Sequence, residues 1–117
     1  ILLPHVIRYN ATKPKKFASF PKYEKFIADK RYAEIAVALG LPARTTEGGV
    51  ESLIQAIIKL AGELYIPMTI EANGVNKKEF ESKVEFLAER AFEDQCTTAN
   101  PKLPLVSELA EIYRKAW

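Results

Sequence analysis

The chain has one cysteine and one histidine in 117 residues. A lone cysteine closes no internal disulfide, which fits a reducing, cytoplasmic compartment. Transition-metal sites need several His, Cys or carboxylate ligands converging on one point. With His5 and Cys96 far apart in sequence, and no His-Glu-x-x-His or Cys-x-x-Cys spacing, a self-contained metal site is not expected. No apolar run approaches the roughly 20 residues that span a bilayer. An excess of one charge is also missing. Seventeen basic side chains face 15 acidic ones, a net charge of +2, so no global field calls for a nucleic acid or a membrane surface. Glycine is sparse. The only adjacent pair, Gly48-Gly49, lies between Glu47 and Glu51, whose carboxylates oppose a phosphate, so the pair reads as a helix start and not as a phosphate cradle.

What is present is a soluble globular composition, 48% apolar and 27% charged, in a length that suits one domain. The start inside Ile1-Leu2-Leu3-Pro4, with no basic segment before it, reads as a cut through a larger protein rather than a signal peptide.

Helical periodicity dominates, and the fold class read from it is an all-α helical bundle. Residues 1–10 read as the tail of a helix, with Val6, Ile7 and Tyr9 available to a core and Asn10, Lys13 and Pro14 ending it. Asp29 reads as the N-cap of a helix through Tyr32, Ile35, Ala36 and Leu39, stopped by Gly40 and Pro42. Thr45 or Thr46 caps the next helix. Its apolar positions Val50, Leu53, Ile54, Ile57, Ile58, Ala61 and Leu64 step by three and four, and Gly48 and Gly49 place its regular start nearer Val50. Pro67 ends it, and Ala72-Asn73-Gly74 marks a turn. Asn76 and Glu79 have capping-box spacing ahead of a helix with Phe80, Val84, Leu87, Ala88 and Ala91 on one face. A last helix from about Ser107 points Leu109, Ile112, Tyr113 and Ala116 inward.

Residues 11–28 break this pattern and read as a surface insertion. Pro14 and Pro21 interrupt any helix, and Phe17, Phe20, Tyr23 and Phe26 are unevenly spaced. Seven basic residues between Lys13 and Arg31 face only Glu24 and Asp29. Aromatics interleaved with lysines can stack bases and contact phosphates. The competing assignment is that the aromatics anchor a loop while the lysines solvate it, and the balanced charge of the whole chain favours that one. Two side chains invite a catalytic reading. His5, beside Pro4 in a buried-looking segment, reads as a packed histidine and not as a ligand. Cys96 as a nucleophile would need a base nearby, and His5 is the only imidazole. A helix exit also lacks the positive dipole end that lowers a thiol pKa, and a packed free cysteine is the commoner state.

The ordered set Ile1-Leu2-Leu3-Pro4-His5-Val6-Ile7-Arg8-Tyr9-Asn10, Tyr32-Ala33-Glu34-Ile35-Ala36, Ala38-Leu39-Gly40, Ile66-Pro67, Gly74-Val75, Leu87-Ala88, Ala91, Asp94, Cys96-Thr97, Asn100-Pro101 and Ala116-Trp117 resembles the C-terminal helical part of the iron-containing alcohol dehydrogenases. The segment around Phe20-Pro21-Lys22-Tyr23, and Glu93-Asp94-Gln95-Cys96 followed by Asn100-Pro101-Lys102-Leu103-Pro104, are similar to the bifunctional aldehyde-alcohol dehydrogenases within that family.

The resemblance implies the C-terminal part of a dehydroquinate synthase-like fold, over residues 1–117, whose partner is an N-terminal nucleotide-binding part of the same protein. It implies NAD-linked interconversion of acetaldehyde, or a similar short aldehyde, and its primary alcohol. In the family, ferrous iron held by an aspartate and histidines polarises the substrate oxygen as a Lewis acid, and the nicotinamide carries the hydride. Those ligands and the glycine-rich NAD motif precede the position of Ile1 in the family pattern, so this chain alone is expected to bind neither Fe2+ nor NAD and to be inactive. No metal ligand and no catalytic residue can be carried over. Cys96 alone maps to a site, as a wall of the substrate and cofactor cleft. A homo-oligomer is implied, with no membrane or nucleic-acid partner. The alternative is a free-standing helical interaction module that binds an acidic partner or RNA through residues 13–31.

Overall fold

The computed structural model describes residues 1–15 and 25–117. Five α-helices follow in order: α1 (Leu3–Ala11), α2 (Ala28–Ala38), α3 (Thr46–Glu63), α4 (Lys77–Glu93) and α5 (Val106–Lys115). Short 3-10 helices lie at Glu71–Asn73 and Gln95–Ala99, and no strand occurs among the described residues. The chain is all-α, as its periodicity requires.

The helices form two layers around separate apolar clusters. Ile7 of α1, Ala36 of α2 and Val50, Leu53 and Ile54 of α3 make the first. Phe80, Val84 and Ala88 of α4 with Ala110 of α5 make the second, and the ring of Trp117 lies 4.6 Å from that of Phe80. α1 packs on α2, α3 and α5, so it joins the layers. The backbone N–H of Ile70 donates to the carbonyl of Ala116 at 2.8 Å and ties the α3–α4 connection to the end of α5.

Several boundaries follow from readable chemistry. Thr45 Oγ1 accepts the N–H of Gly48 at 3.0 Å, and Asn76 Oδ1 accepts those of Lys78 and Glu79 at 2.9 and 3.3 Å. Each satisfies N–H groups that a first helical turn cannot pair internally. α2 ends in a Schellman motif: Gly40 adopts φ 69°, its N–H donates to Val37 and that of Leu41 donates to Ala36.

Other boundaries correct the sequence reading. Asn10 does not end α1; it lies inside the helix, which runs to Ala11, and is 2% exposed. Asp29 is not the cap of α2, because Ile27 holds that position and Ala28 is already helical. Asp29 instead sits in the first turn, where a carboxylate complements the helix dipole. Of Tyr32, Ile35, Ala36 and Leu39, only Ala36 is buried, and Ile35 and Leu39 are exposed. α3 starts at Thr46, not near Val50, and runs through both glycines. The proposed insertion at 11–28 has its centre, 16–24 with Phe17, Phe20 and Tyr23, outside the described residues. At its edges Ala11 closes α1 and Ala28 opens α2.

Gly49 explains why α3 tolerates the glycine pair. A Cβ there would stand 2.8 Å from Ala33 Cβ, 3.0 Å from the Ala33 backbone and 3.1 Å from Ala43 Cβ, so the missing side chain is what allows α3 to approach α2. Gly62, in the same helix, would meet nothing within 4 Å. Alanine at the two positions is therefore expected to act with opposite signs. Gly62→Ala should gain up to about 1 kcal/mol of helix propensity. Gly49→Ala should lose about 1–3 kcal/mol to overpacking, because the neighbouring backbone cannot swing aside. Urea unfolding of the two variants, followed by far-UV circular dichroism, reads both. A stabilised Gly49→Ala would contradict the close approach.

Among the described residues, the exposed large apolar side chains include Ile35, Val37 and Leu39 on and just after α2, Leu60, Leu64 and Ile66 at the end of α3, and Phe86 and Phe92 on α4.

Candidate functional site

α4 ends where Asp94 turns extended at φ −62°, ψ 131°, and the same residue starts the next turn. Its Oδ1 accepts the N–H of Cys96 at 2.7 Å, which caps the 3-10 turn Gln95–Ala99. Thr97 Oγ1 donates to the carbonyl of Ala91 and Thr98 Oγ1 to that of Gln95, at 2.5 and 2.7 Å. The turn is thus laced to the last turn of α4 at its N-terminal end.

Its other end is tied to α1. Asn100 leaves the turn and pairs reciprocally with Asn10: Asn10 Nδ2 donates to Asn100 Oδ1 at 2.9 Å, and Asn100 Nδ2 donates to Asn10 Oδ1 at 2.8 Å. Lys102 follows, 8% exposed, with Nζ donating to the Tyr9 carbonyl at 3.2 Å and lying 3.9 Å from the centre of the Tyr9 ring. A buried ammonium is costly unless paired, and the carbonyl and the ring face both meet it. Tyr9 Oη donates to Glu108 Oε2 at 2.8 Å, and the same oxygen accepts the N–H of Leu105 at 2.8 Å at the start of α5.

Two grooves flank this network. One of about 640 Å³ opens between α1, the Cys96 turn, α4 and α5, with Val6, Asn10, Ala91, Cys96, Thr97 and Asn100 among its walls. The other, of about 820 Å³, is lined by His5, Arg8, Lys13, Lys15, Glu111 and Lys115 together with Tyr9 and Lys102.

Cys96 is exposed, which departs from a packed cysteine, and stands at the wall of the first groove. The hydrogen bond to Asp94, and then that carboxylate's charge, push its thiol pKa above the ordinary value. A thiol that resists ionisation is a poor nucleophile. His5 lies in the other groove. Burial, and then the Arg8 guanidinium and other cations including Lys115, hold its imidazole below the usual value. The structure therefore does not bring His5 and Cys96 into one groove. Tyr9 is pushed upward by burial and then by its bond to Glu108.

The residues here do not fit a metal on their own. Among the described residues no three His, Cys, Asp or Glu side chains gather into a set that could hold one, and His5 keeps company with cations. No described helix is long and apolar enough to cross a membrane. The segment 13–31, proposed for an acidic partner or RNA, is described only at its ends.

The profile of the Fe-containing alcohol dehydrogenase family, C-terminal part, matches residues 1–117. The chain belongs to the iron-containing alcohol dehydrogenase family. It is 47% identical over 117 residues to an aldehyde-alcohol dehydrogenase of Streptococcus pneumoniae, covering all of this chain and 13% of that protein. It is 45% identical over 115 residues to the bifunctional aldehyde-alcohol dehydrogenase of Escherichia coli, covering 96% of this chain and 13% of that one. An NADPH-dependent butanol dehydrogenase of Clostridium saccharobutylicum shares 33% over 113 residues, 97% of this chain and 26% of the relative. The resemblance read from the motifs is thereby upheld, and the five-helix array is the C-terminal helical part of the family's fold.

The contacts that organise the groove were not legible in the sequence. Asn10 and Asn100 are 90 positions apart, and no local pattern announces their pairing. Lys102 sits in the Asn-Pro-Lys-Leu-Pro run that marked the bifunctional relatives, yet a lysine carries no signal of its own burial.

Proposed function

We propose that this chain is the C-terminal part of an iron-dependent, NAD-linked alcohol dehydrogenase that interconverts acetaldehyde, or a similar short aldehyde, and its primary alcohol. The family match over residues 1–117 carries this reading, and the relatives named aldehyde-alcohol dehydrogenases support the substrate class. Iron and NAD are held by an N-terminal nucleotide-binding part of the same protein. The uncovered apolar residues of α2, α3 and α4 are surface for that part, or for further subunits of a homo-oligomer, to cover. Cys96 is a pocket wall beside substrate and nicotinamide, with no bond-making role. The enzyme works in the cytoplasm.

The complete protein should reduce acetaldehyde with NADH, lose that activity to a chelator and regain it with Fe2+. Purified residues 1–117 should show no heat of binding with Fe2+ or NADH in isothermal titration, and no turnover of ethanol. Stoichiometric binding of either by the isolated chain, or a complete protein indifferent to chelation, would overturn the assignment.

A further inference from the structure

The Cys96 turn is weakly fixed by its own bonds. A short 3-10 helix has poor hydrogen-bond geometry, and Gln95, Cys96, Thr98 and Ala99 are all exposed, so packing does little to hold it. Asp94 and Thr97 anchor one end on α4. The reciprocal amide pair anchors the other end on α1, across the groove, and both asparagines stand in the groove's lining. Asn10 is almost fully buried, and a buried amide left without partners is costly, so the pair is strongly specified. Its other partner is weaker: Nδ2 also donates to Tyr32 Oη, at 3.4 Å. Asn100 in turn donates to the Lys102 carbonyl, so it holds the chain on both sides of Pro101.

We propose that Asn10 is a positioning residue. Acting through Asn100, it sets the distance between α1 and the Cys96 turn, and hence the width of the groove that takes the substrate. The inference rests on the reading of Cys96 as a pocket wall. It assigns to a helix residue 86 positions away a role in substrate fit without contact with the reacting atoms.

The test uses the complete, metal-loaded enzyme with Asn10→Ala, Asn100→Ala and the double variant. Each single variant removes both bonds of the pair and is expected to raise KM for acetaldehyde about three- to tenfold, with kcat changed less than about twofold. Since the two residues act on the groove through their mutual pair, the double variant should cost clearly less than the product of the two single effects. Position is read separately by tagging Cys96 with a trifluoroethylthio group, its 19F resonance identified by absence in Cys96→Ser. Asn10→Ala and Asn100→Ala should displace or broaden that resonance alike. Asn100→Ala, at the half-buried partner, carries the test should Asn10→Ala not fold. An unmoved resonance overturns the positioning itself. A moved resonance with unchanged KM shows that the turn does not bound the substrate pocket, which overturns the kinetic role through failure of the Cys96 reading. Additive effects in the double variant overturn action through the pair.

Discussion

Phe80→Ala should destabilise the purified chain by about 3–5 kcal/mol, as large aromatic truncations in cores do. The ring is 6% exposed, packs with Val84, Ala88 and Ala110 and lies 4.6 Å from the Trp117 ring. Its loss removes transfer energy and leaves a cavity that two rigid helices cannot close. Against a usual domain stability of about 5–15 kcal/mol, this is enough to release α5 and the terminal Trp117. Phe86 supplies the internal control. It lies on the same helix, is 54% exposed and has Arg90 above its ring at 5.4 Å. Phe86→Ala should cost no more than about 1 kcal/mol, the scale of an exposed cation–π contact. Urea unfolding monitored by Trp117 fluorescence compares them. Equal losses at the two positions would mean that the α4–α5 layer is not organised around Phe80.

The spacing that separates these two rings was legible in the sequence, because a helix imposes its period on whatever it buries. Phe80, Val84 and Ala88 repeat every four residues and are buried together, as are Val50, Leu53 and Ile54. Caps were legible where the side chain does the capping, as at Thr45 and Asn76. The backbone cap of α2 was legible too, through Gly40, but that of α3 was not. α3 ends in the same kind of motif as α2, yet its left-handed position is Tyr65 at φ 56°, a residue whose Cβ disfavours that conformation. Gly49 misled because intrinsic propensity was weighed without the neighbour, and Ala33 on α2 leaves no room there for a side chain. The existence of α2 was legible, but not which of its apolar residues are covered, because Ala36 alone of Tyr32, Ile35, Ala36 and Leu39 is buried. The structure leaves Ile35 and Leu39 outside. The site was legible only as Cys96 and its Asn-Pro neighbourhood. The amide pair and the Lys102–Tyr9 contact join distant segments, and such pairing is a property of the assembled helices.

Cys96 carries the sharpest kinetic expectation, because the two roles open to it differ by orders of magnitude. A lost nucleophile abolishes turnover, whereas a small pocket contact is worth roughly 1–3 kcal/mol, or about 10- to 200-fold in discrimination. The hydrogen bond and charge of Asp94 both favour the protonated thiol, so thiolate forms only above the ordinary cysteine range. At neutral pH the side chain is then a neutral, exposed wall element. Cys96→Ser in the complete enzyme should keep most of the aldehyde reduction rate, with an unchanged pH profile of kcat/KM, since no ionisation of residue 96 is used. Cys96→Leu should raise KM or shift preference toward shorter aldehydes, because the added methyl groups narrow the groove facing α1. Alkylation reads the thiol's ionisation: iodoacetamide should react slowly at neutral pH, and faster after Asp94→Asn removes the charge that opposes ionisation. The measurements are kcat and KM over a short aldehyde series with NADH, on enzyme of verified metal content. A folded, metal-loaded Cys96→Ser enzyme without activity would assign the thiol to the chemistry and remove it from the wall.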